Sequence, residues 1–340
     1  MGGKDMEAKN TVLDIENLSV EFHVDGEVAR SVTDVTVKLA EGTTLGLVGE
    51  TGAGKTTTAL AALNLIQCPP GVIKADKVEV CGNDMLHAKQ HELEKIRGKD
   101  ISMIFQDPMT SLNPVFDVGT QIQESILLHE KLSREEAWEK AMEMLELVGI
   151  PRERGHEYPH QFSGGMKQRV VIAISLACTP KVLIADEPTT ALDVTIQAQV
   201  LEMMKELRDK YGTAMIMITH DLGIVAESCD YVAVMYAGRI IEYGTLDEIF
   251  NNTRHPYTEG LFNSLPNIHN RVGKLKPIPG MMPDPRSIPE GCAFADRCPY
   301  ATDECRKTLP ETLKVNDDHL VACLRYNEPD FMIERSRTNG

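Results

Sequence analysis

Residues 49–56, GETGAGKT, have the composition and spacing of a phosphate-binding loop. They follow the apolar run TLGLV and precede a helical pattern, which is the context that such a loop requires. The glycines Gly49, Gly52 and Gly54 let backbone N–H groups curl around phosphate oxygens. Lys55 is placed to reach the β- and γ-phosphates, and the Thr56 hydroxyl is placed to bind Mg²⁺. The pattern predicts a nucleoside triphosphate site, with a glycine-rich turn that binds nothing as the alternative.

Two adjacent acids follow the apolar run VLIA, in the stretch VLIADEPTTALD. Asp186 at the predicted strand end suits a contact to Mg²⁺, usually through water. Glu187 suits a general base for an attacking water if it lies against the γ-phosphate. Two acids that only cap a strand are the alternative. Together with the phosphate-binding loop, the pair predicts triphosphate hydrolysis.

A second anion site is predicted in the stretch FSGGMKQRV, residues 162–170. Ser163 is a good N-cap, because its hydroxyl can accept a hydrogen bond from the first turn of a helix. Gly164 and Gly165 leave backbone N–H groups accessible, and the N-terminus of a helix attracts anions. The sequence thus predicts two separate places for phosphate.

The elements that must position these residues indicate an α/β fold. The stretches KVLIADEP and TAMIMITHD each contain a continuous apolar run that ends in polar or acidic residues, which is typical of a mostly parallel sheet covered on both faces. Residues from about 110 to 180 carry helical patterns with few strand patterns, and this predicts a helical subdomain inserted into the core. The predicted nucleotide-binding domain spans residues 11–250.

The chain changes character after about residue 250 and becomes rich in Pro, Gly and Asn. Residues 251–335 are predicted to be a small loop-rich extension. Cys292, Cys298, Cys305 and Cys323 are spaced C-x5-C-x6-C-x17-C within it. Four such thiolates can bind an iron–sulfur cluster or Zn²⁺, and free thiols or disulfides are further alternatives.

Composition excludes several classes of function. The 340 residues carry a formal net charge of −16 without any tract dense in Lys and Arg, so nucleic acid is not an expected partner. Apolar runs are far too short to cross a bilayer, and the first ten residues contain no apolar signal core. A cytoplasmic location is expected, in which disulfides are rare.

Six motifs occur in the order found in the ATP-binding-cassette (ABC) ATPases, which the chain resembles over about residues 13–248. The resemblance implies a phosphate-loop ABC ATPase core with a helical subdomain. It also implies that the signature segment, residues 162–169, binds ATP held by the phosphate loop of a second subunit. The motifs are GETGAGKT, MIFQDP with Gln106, FSGGMKQR, LIADEP, ALD at residues 191–193 and ITHD with His220.

The resemblance carries roles over by position. Gln106 would touch Mg²⁺ and the water, His220 would contact the γ-phosphate, and Asp193 would communicate across the dimer. The expected catalytic residues are Lys55, Gln106, Glu187 and His220, and the expected Mg²⁺ ligands are Thr56, Gln106 and Asp186. The expected ATP contacts are Gly49, Glu50, Thr51, Gly52, Ala53, Gly54, Lys55, Thr56, Thr57 and Arg30, with Ser163, Gly164, Gly165 and Asp193 acting in trans.

Two positions depart from the family pattern. Met166 stands where the common signature has Gln, so a side-chain contact is lost or replaced there. The aromatic residue that usually stacks on adenine is also missing, and Arg30 stands at its spacing. A guanidinium can stack on a π face, so Arg30 is the predicted platform, with Phe22 and His23 as rivals.

The stretches HPYTEGLFNSLP, IPGMMPDP and GCAFADRCPYA resemble the C-terminal extension of the peptide-importer branch of this family. That resemblance implies a di/oligopeptide importer ATPase whose four cysteines bind a [4Fe–4S] cluster, with Zn²⁺ as the alternative. It implies a sister ATPase, two membrane permease subunits and an external solute-binding protein, with the chain on the cytoplasmic face of the membrane. A heterodimer is expected, although a homodimer is possible. The rival functions are a nickel or metal-chelate importer, an efflux ATPase and a soluble ABC ATPase.

Overall fold

The computed structural model describes residues 10–190, 192–264, 277–328 and 330–334, and its strands and helices alternate along the chain. The strands are β1 (Thr11–Val24), β2 (Glu27–Ala40), β3 (Thr44–Val48), β4 (Gly71–Lys74), β5 (Lys77–Val80), β6 (Asn83–Asp84), β7 (Ile101–Ile104), β8 (Val182–Asp186), β9 (Ala214–Thr219), β10 (Tyr231–Tyr236), β11 (Arg239–Thr245), β12 (Leu313–Asn316) and β13 (His319–Val321). The helices are α1 (Lys55–Ala62), α2 (Gln90–Ile96), α3 (Pro108–Ser111), α4 (Val118–His129), α5 (Arg134–Leu147), α6 (Gly164–Leu176), α7 (Val194–Tyr211), α8 (Leu222–Ser228), α9 (Leu246–Asn251) and α10 (Pro256–Asn263).

The core sheet has the strand order β12-β13-β11-β10-β3-β9-β8-β7. The five neighbouring strands β10, β3, β9, β8 and β7 run parallel to one another. Strand β11 pairs antiparallel with β10 and β13, and β12 pairs antiparallel with β13. Every residue of β3, β8 and β9 is buried, as expected of parallel strands covered on both faces. The predicted α/β fold with a mostly parallel sheet is confirmed.

The smaller antiparallel sheet, ordered β2-β1-β5-β6 with β4 also paired to β1, lies over one face of the core sheet. The helix α1 contributes small side chains, Ala59, Ala61 and Ala62, to the apolar layer between the two sheets. Alanines let the sheets approach the helix closely. This layer fixes α1, and therefore the phosphate loop at its N-terminus.

Between β7 and β8 the described chain forms only helices and turns, from α3 to α6. Local residues account for where these helices begin. Ser133 and Glu136 form a capping box at the start of α5, and the Asp117 side chain accepts a hydrogen bond from Thr120 N at the start of α4. The proposed bounds of a helical subdomain, about 110–180, stay a prediction.

The C-terminal segment, residues 277–334, is joined to the core sheet. Strand β13 pairs with β11, so the antiparallel edge of the core sheet is built partly from this segment. His319 on β13 is fully buried, with Nε2 2.9 Å from the Glu242 carboxylate and Nδ1 3.1 Å from that of Glu248. The core sheet therefore contains strands from both sides of the predicted domain boundary near residue 250. That boundary stays a prediction.

Within the described residues, no helix is long and apolar enough to cross a membrane.

Candidate active site

The phosphate loop connects β3 to α1 and needs glycine at its bends. A Cβ atom at Gly49 would clash with the backbone oxygen of Met235. Gly54 has φ +101°, and a Cβ atom there would lie 2.5 Å from the Ser31 oxygen. The backbone can therefore follow this path only without side chains at these two positions. The loop predicted from GETGAGKT stands between a strand and a helix, as its motif requires.

Lys55, the first residue of α1, is buried inside the curl of this loop. Its Nζ donates to the backbone oxygens of Gly49, at 2.8 Å, and Glu50, at 3.1 Å. Burial lowers the pKa of Lys55, while the charges of Glu187 and Asp186 act in the opposite direction. The ammonium is thus positioned by the loop that it serves, where it can donate to phosphate oxygens.

Thr56 and Asp186 meet at the end of β8. The Thr56 hydroxyl donates to Asp186 Oδ2 at 2.8 Å, across 130 residues of sequence. Burial raises the pKa of Asp186, and the hydrogen bond from Thr56 opposes that rise. A hydroxyl and a carboxylate are the hard oxygen ligands that Mg²⁺ prefers, and Mg²⁺ commonly takes few ligands from the protein itself. These two side chains fit the predicted Mg²⁺ role, which stays a prediction.

Glu187 lies at the centre of a hydrogen-bonded group. Its carboxylate accepts from Gln106 Nε2 at 3.1 Å and from the Thr190 hydroxyl at 2.9 Å. His220 Nδ1 lies 3.0 Å from the other carboxylate oxygen. Three residues predicted to act together, Gln106, Glu187 and His220, are therefore in contact. Thr190 was not predicted, although its place three residues after Glu187 could have suggested it.

The electrostatics of this group favour a charged base. Burial raises the pKa of Glu187, but hydrogen bonds from His220 and Thr190 outweigh burial and hold the pKa below its usual value. Glu187 also has φ +47°, an unusual backbone conformation for a residue other than glycine. The turn after β8 thus aims an ionised carboxylate toward the end of the core sheet, where it can accept a proton from water.

The signature segment begins α6 as predicted. The Ser163 side chain accepts a hydrogen bond from Met166 N at 3.4 Å and caps the helix. Gly164 is exposed, and a Cβ atom there would meet nothing within 4 Å. A Cβ atom at Gly165 would lie 2.5 Å from Ile196 of α7. Ser163 and Gly164 thus present an open helix N-terminus at the surface.

Asp193 caps the neighbouring helix. Its carboxylate accepts from Ile196 N at 3.0 Å at the start of α7, and its side chain is exposed. Met166 is partly buried, with its sulfur 3.3 Å from Arg154 Nη1. The departure from the common signature is therefore accommodated inside the subunit. The proposed action of these residues in trans stays a prediction.

The candidate adenine platform lies on the β1–β2 hairpin. Arg30 is exposed, and its Nε lies 3.7 Å from the Glu21 carboxylate. His23 is also exposed, 3.3 Å from the same carboxylate, whereas Phe22 packs against the core of the antiparallel sheet. Arg30 and His23 are the two accessible candidates, and the choice between them stays a prediction.

The four C-terminal cysteines are free thiols, two of them buried and two partly buried. Cys292 N donates to the Cys305 oxygen at 2.8 Å, so these turns are adjacent. Burial raises the pKa of Cys298 to about 11, and the charges of Cys292 and Cys305 add to that effect. In the described chain, no three His, Cys, Asp or Glu side chains are grouped so that they could hold one metal ion.

Comparison with known proteins gives the same order of regions. A family model described as "ABC transporter" matches residues 32–190, and one described as "Oligopeptide/dipeptide transporter, C-terminal region" matches residues 241–305. An oligopeptide transport ATP-binding protein, OppD of Bacillus subtilis (strain 168), is 50% identical over 91% of this chain and 87% of its own length. A dipeptide transport ATP-binding protein, DppD of the same organism, is 47% identical over 92% of this chain and 94% of its own.

A solved structure supports the fold. The dimeric post-hydrolysis structure of an ATP-binding cassette bound to ADP and Pi matches with a TM-score of 0.60 and 25% identity. The match covers 69% of this chain and 98% of that one.

Proposed function

The chain belongs to the ABC transporter family of ATPases, and we propose that it is the ATP-hydrolysing subunit of an importer of di- and oligopeptides. The observation that carries the ATPase reaction is the Glu187 carboxylate, held by Gln106, Thr190 and His220. It lies next in sequence to Asp186, which contacts Thr56 directly after the phosphate loop. Base, candidate metal ligands and phosphate loop therefore share one edge of the core sheet.

The reaction follows from these positions. The phosphate loop and Lys55 bind the β- and γ-phosphates, and Glu187 orients a water and takes its proton as the water attacks the γ-phosphorus. The bond from the γ-phosphorus to the β–γ bridging oxygen breaks, so that ADP and inorganic phosphate are released. When bound, Mg²⁺ would neutralise charge on the phosphates, with Thr56, Asp186 and Gln106 as its protein ligands. His220, whose Nδ1 lies 3.0 Å from the Glu187 carboxylate, would donate to the transferred phosphate.

Two copies of such a site would form between two ATPase subunits. The exposed N-terminus of α6 and the exposed Asp193 support this arrangement, because neither is covered within the subunit. Each signature segment would bind the ATP held by the other subunit's phosphate loop. The proposed partner is a sister ATPase, which would make a heterodimer.

Replacing Gly164 with Asp tests the signature segment. The added side chain meets nothing within 4 Å, and an acid in the first turn of a helix is compatible with its dipole, so folding should be preserved. ATP hydrolysis by the assembled complex should fall by about 10²-fold because a carboxylate would face the γ-phosphate. ATP binding by the isolated chain should be unchanged. Gly164→Asn is the uncharged control, and equal activity of both variants with wild type would contradict the role.

The proposed cargo is peptide, delivered by an external solute-binding protein and passed through two membrane permease subunits. The match of residues 241–305 to an oligopeptide/dipeptide transporter region supports peptides over nickel or other metal chelates. The chain would then act at the cytoplasmic face of the membrane without touching the cargo. A soluble ABC ATPase is the alternative from another class.

Copurification separates these classes. The tagged full chain, extracted from membranes of the source cells in mild detergent, should bring down two multi-span membrane proteins in equal amounts. A second ATPase of similar length should accompany them. Recovery of the tagged chain from the soluble fraction with neither membrane protein would contradict the transport function.

We further propose that the four cysteines bind a [4Fe–4S] cluster. Each cysteine binds a different iron of such a cluster, so the thiols need not converge on one point as a zinc site requires. The spacing of the four cysteines supports this choice, and a 2.8 Å backbone hydrogen bond from Cys292 N to the Cys305 oxygen holds two of their turns side by side. Protein purified without oxygen should contain about four irons and four sulfides per chain. Its absorption spectrum should show a visible band from the bound cluster. Stoichiometric zinc, or neither metal, would contradict the cluster, and Cys305→Ser should lower the iron content.

A further inference from the structure

One acidic residue of the phosphate loop is held by the C-terminal segment. Both carboxylate oxygens of Glu50 accept from Arg297, Nη1 at 3.0 Å and Nη2 at 3.1 Å. The Glu50 N–H donates to the Tyr257 hydroxyl of α10 at 2.9 Å. The loop is therefore fixed by residues more than two hundred positions further along the chain, at both the side chain and the backbone of Glu50.

Arg297 is itself held in place. Its side chain is 7% exposed, Nε donates to the Pro279 oxygen at 2.8 Å, and Nη1 also donates to the Tyr236 hydroxyl at 3.2 Å. It ends a short 3₁₀ turn, Ala295–Arg297, directly before Cys298. A bidentate guanidinium–carboxylate pair whose arginine is buried and held by further hydrogen bonds has a defined geometry.

The C-terminal segment touches the loop at a second point. A Cβ atom built on Gly52 would lie 3.1 Å from Cε of Met282. Met282 also packs against both of the large apolar clusters of the core. The segment thus lies against the loop at Glu50 and at Gly52, on either side of Thr51.

The contact matters for phosphate binding because of charge. The Glu50 backbone oxygen accepts from the Lys55 ammonium at 3.1 Å. Glu50 therefore belongs to the part of the phosphate loop that surrounds the phosphate-binding lysine. An ionised carboxylate there repels triphosphate unless a cation neutralises it. Arg297 supplies that cation and turns the carboxylate toward the C-terminal segment.

We propose that Arg297 is a positioning residue for ATP: by neutralising and orienting Glu50, the C-terminal segment sets the ATP affinity of the phosphate loop in the same chain. The inference rests on ATP binding at this loop, which the ATPase function already requires. It gives the C-terminal segment a direct part in the nucleotide site.

Arg297→Met removes the charge and keeps most of the side-chain length. Titration of the purified full chain with a fluorescent ATP analogue and Mg²⁺ should show a dissociation constant about tenfold higher than wild type. In the membrane complex, KM for ATP should rise by a similar factor with little change in kcat. The double variant Glu50→Gln with Arg297→Met should return to within about threefold of wild type, because the unpaired carboxylate is gone.

Controls separate this role from a purely structural one. Arg306→Met removes an exposed arginine of the same segment, 3.4 Å from Asp296, and should leave ATP binding unchanged. Arg297→Lys keeps the charge and should bind ATP more tightly than Arg297→Met. Wild-type affinity in Arg297→Met, or a double variant as weak as Arg297→Met, would overturn the proposal.

Two further outcomes remain informative. If Arg297→Met does not fold, Arg297→Gln is the second variant, since its amide is neutral and can still donate to the Pro279 oxygen; it should bind ATP about tenfold more weakly than wild type. Wild-type affinity in that variant would overturn the role of charge. If wild-type protein fails to bind the analogue, the ATP site itself is wrong, which is a separate failure from that of Arg297.

Discussion

Glu187→Gln is expected to lower kcat for ATP hydrolysis by about 10²–10⁴-fold, the usual contribution of a positioned general base. The amide cannot take a proton from water, yet it can keep the hydrogen bonds that Gln106 and Thr190 now donate to the carboxylate. Geometry should therefore be preserved, and ATP binding should stay within about twofold of wild type. Single-turnover hydrolysis and ATP titration of the membrane complex measure the two quantities separately.

Two controls sharpen that result. Thr190→Val removes one hydrogen bond from Glu187 and should lower kcat only about tenfold, because the base remains. Glu41→Gln alters an exposed carboxylate that pairs with Lys181 at 2.9 Å, and it should change nothing. If Glu187→Gln hydrolysed ATP at the wild-type rate, another group would have to activate the water and the assignment of the base would be wrong.

Lys55→Met is expected to weaken ATP binding by about 10²-fold or more, since a buried charged donor to the phosphates is lost. The same change should not reduce the thermal stability of the nucleotide-free protein. Burial lowers the pKa of Lys55, so the folded chain carries a desolvation cost for this ammonium that Met does not have. Loss of affinity with unchanged or higher melting temperature is the signature of a ligand-binding lysine.

Lys181→Met provides the matched control for this experiment. Lys181 is an exposed lysine paired with Glu41, away from the phosphate loop. Its replacement should leave ATP affinity unchanged and should lower the melting temperature only slightly, because a surface ion pair contributes little to stability. If Lys55→Met lowered stability by several degrees and left ATP affinity intact, Lys55 would be a structural lysine that holds the loop oxygens, and the site assignment would be contradicted.

Local sequence predicted the parts of the site that depend on neighbouring residues. The phosphate loop, the buried parallel strands β3, β8 and β9, and the cap at Ser163 follow from glycine positions, apolar runs and a capping hydroxyl. The meeting of Gln106 with Glu187 came from resemblance to a family, because the two residues are 81 positions apart.

Contacts between distant segments could not be predicted in this way. Nothing local to Glu50 indicates that Arg297 binds it, since neither residue carries a pattern that specifies the other. The addition of β13 to the edge of the core sheet is hidden for a similar reason, because HLV is too short to stand out as a strand. Pairing of such short strands depends on the sheet that receives them.

Uptake in the source cells tests the central claim most directly. Labelled di-, tri- and pentapeptides and radioactive nickel would be supplied to cells that carry either the wild-type chain or Glu187→Gln. The account predicts that uptake of at least one peptide class collapses in the variant while nickel uptake is unchanged. Loss of nickel uptake alone would contradict the peptide assignment, and unchanged uptake of both, with the variant present and still binding ATP, would contradict import of either.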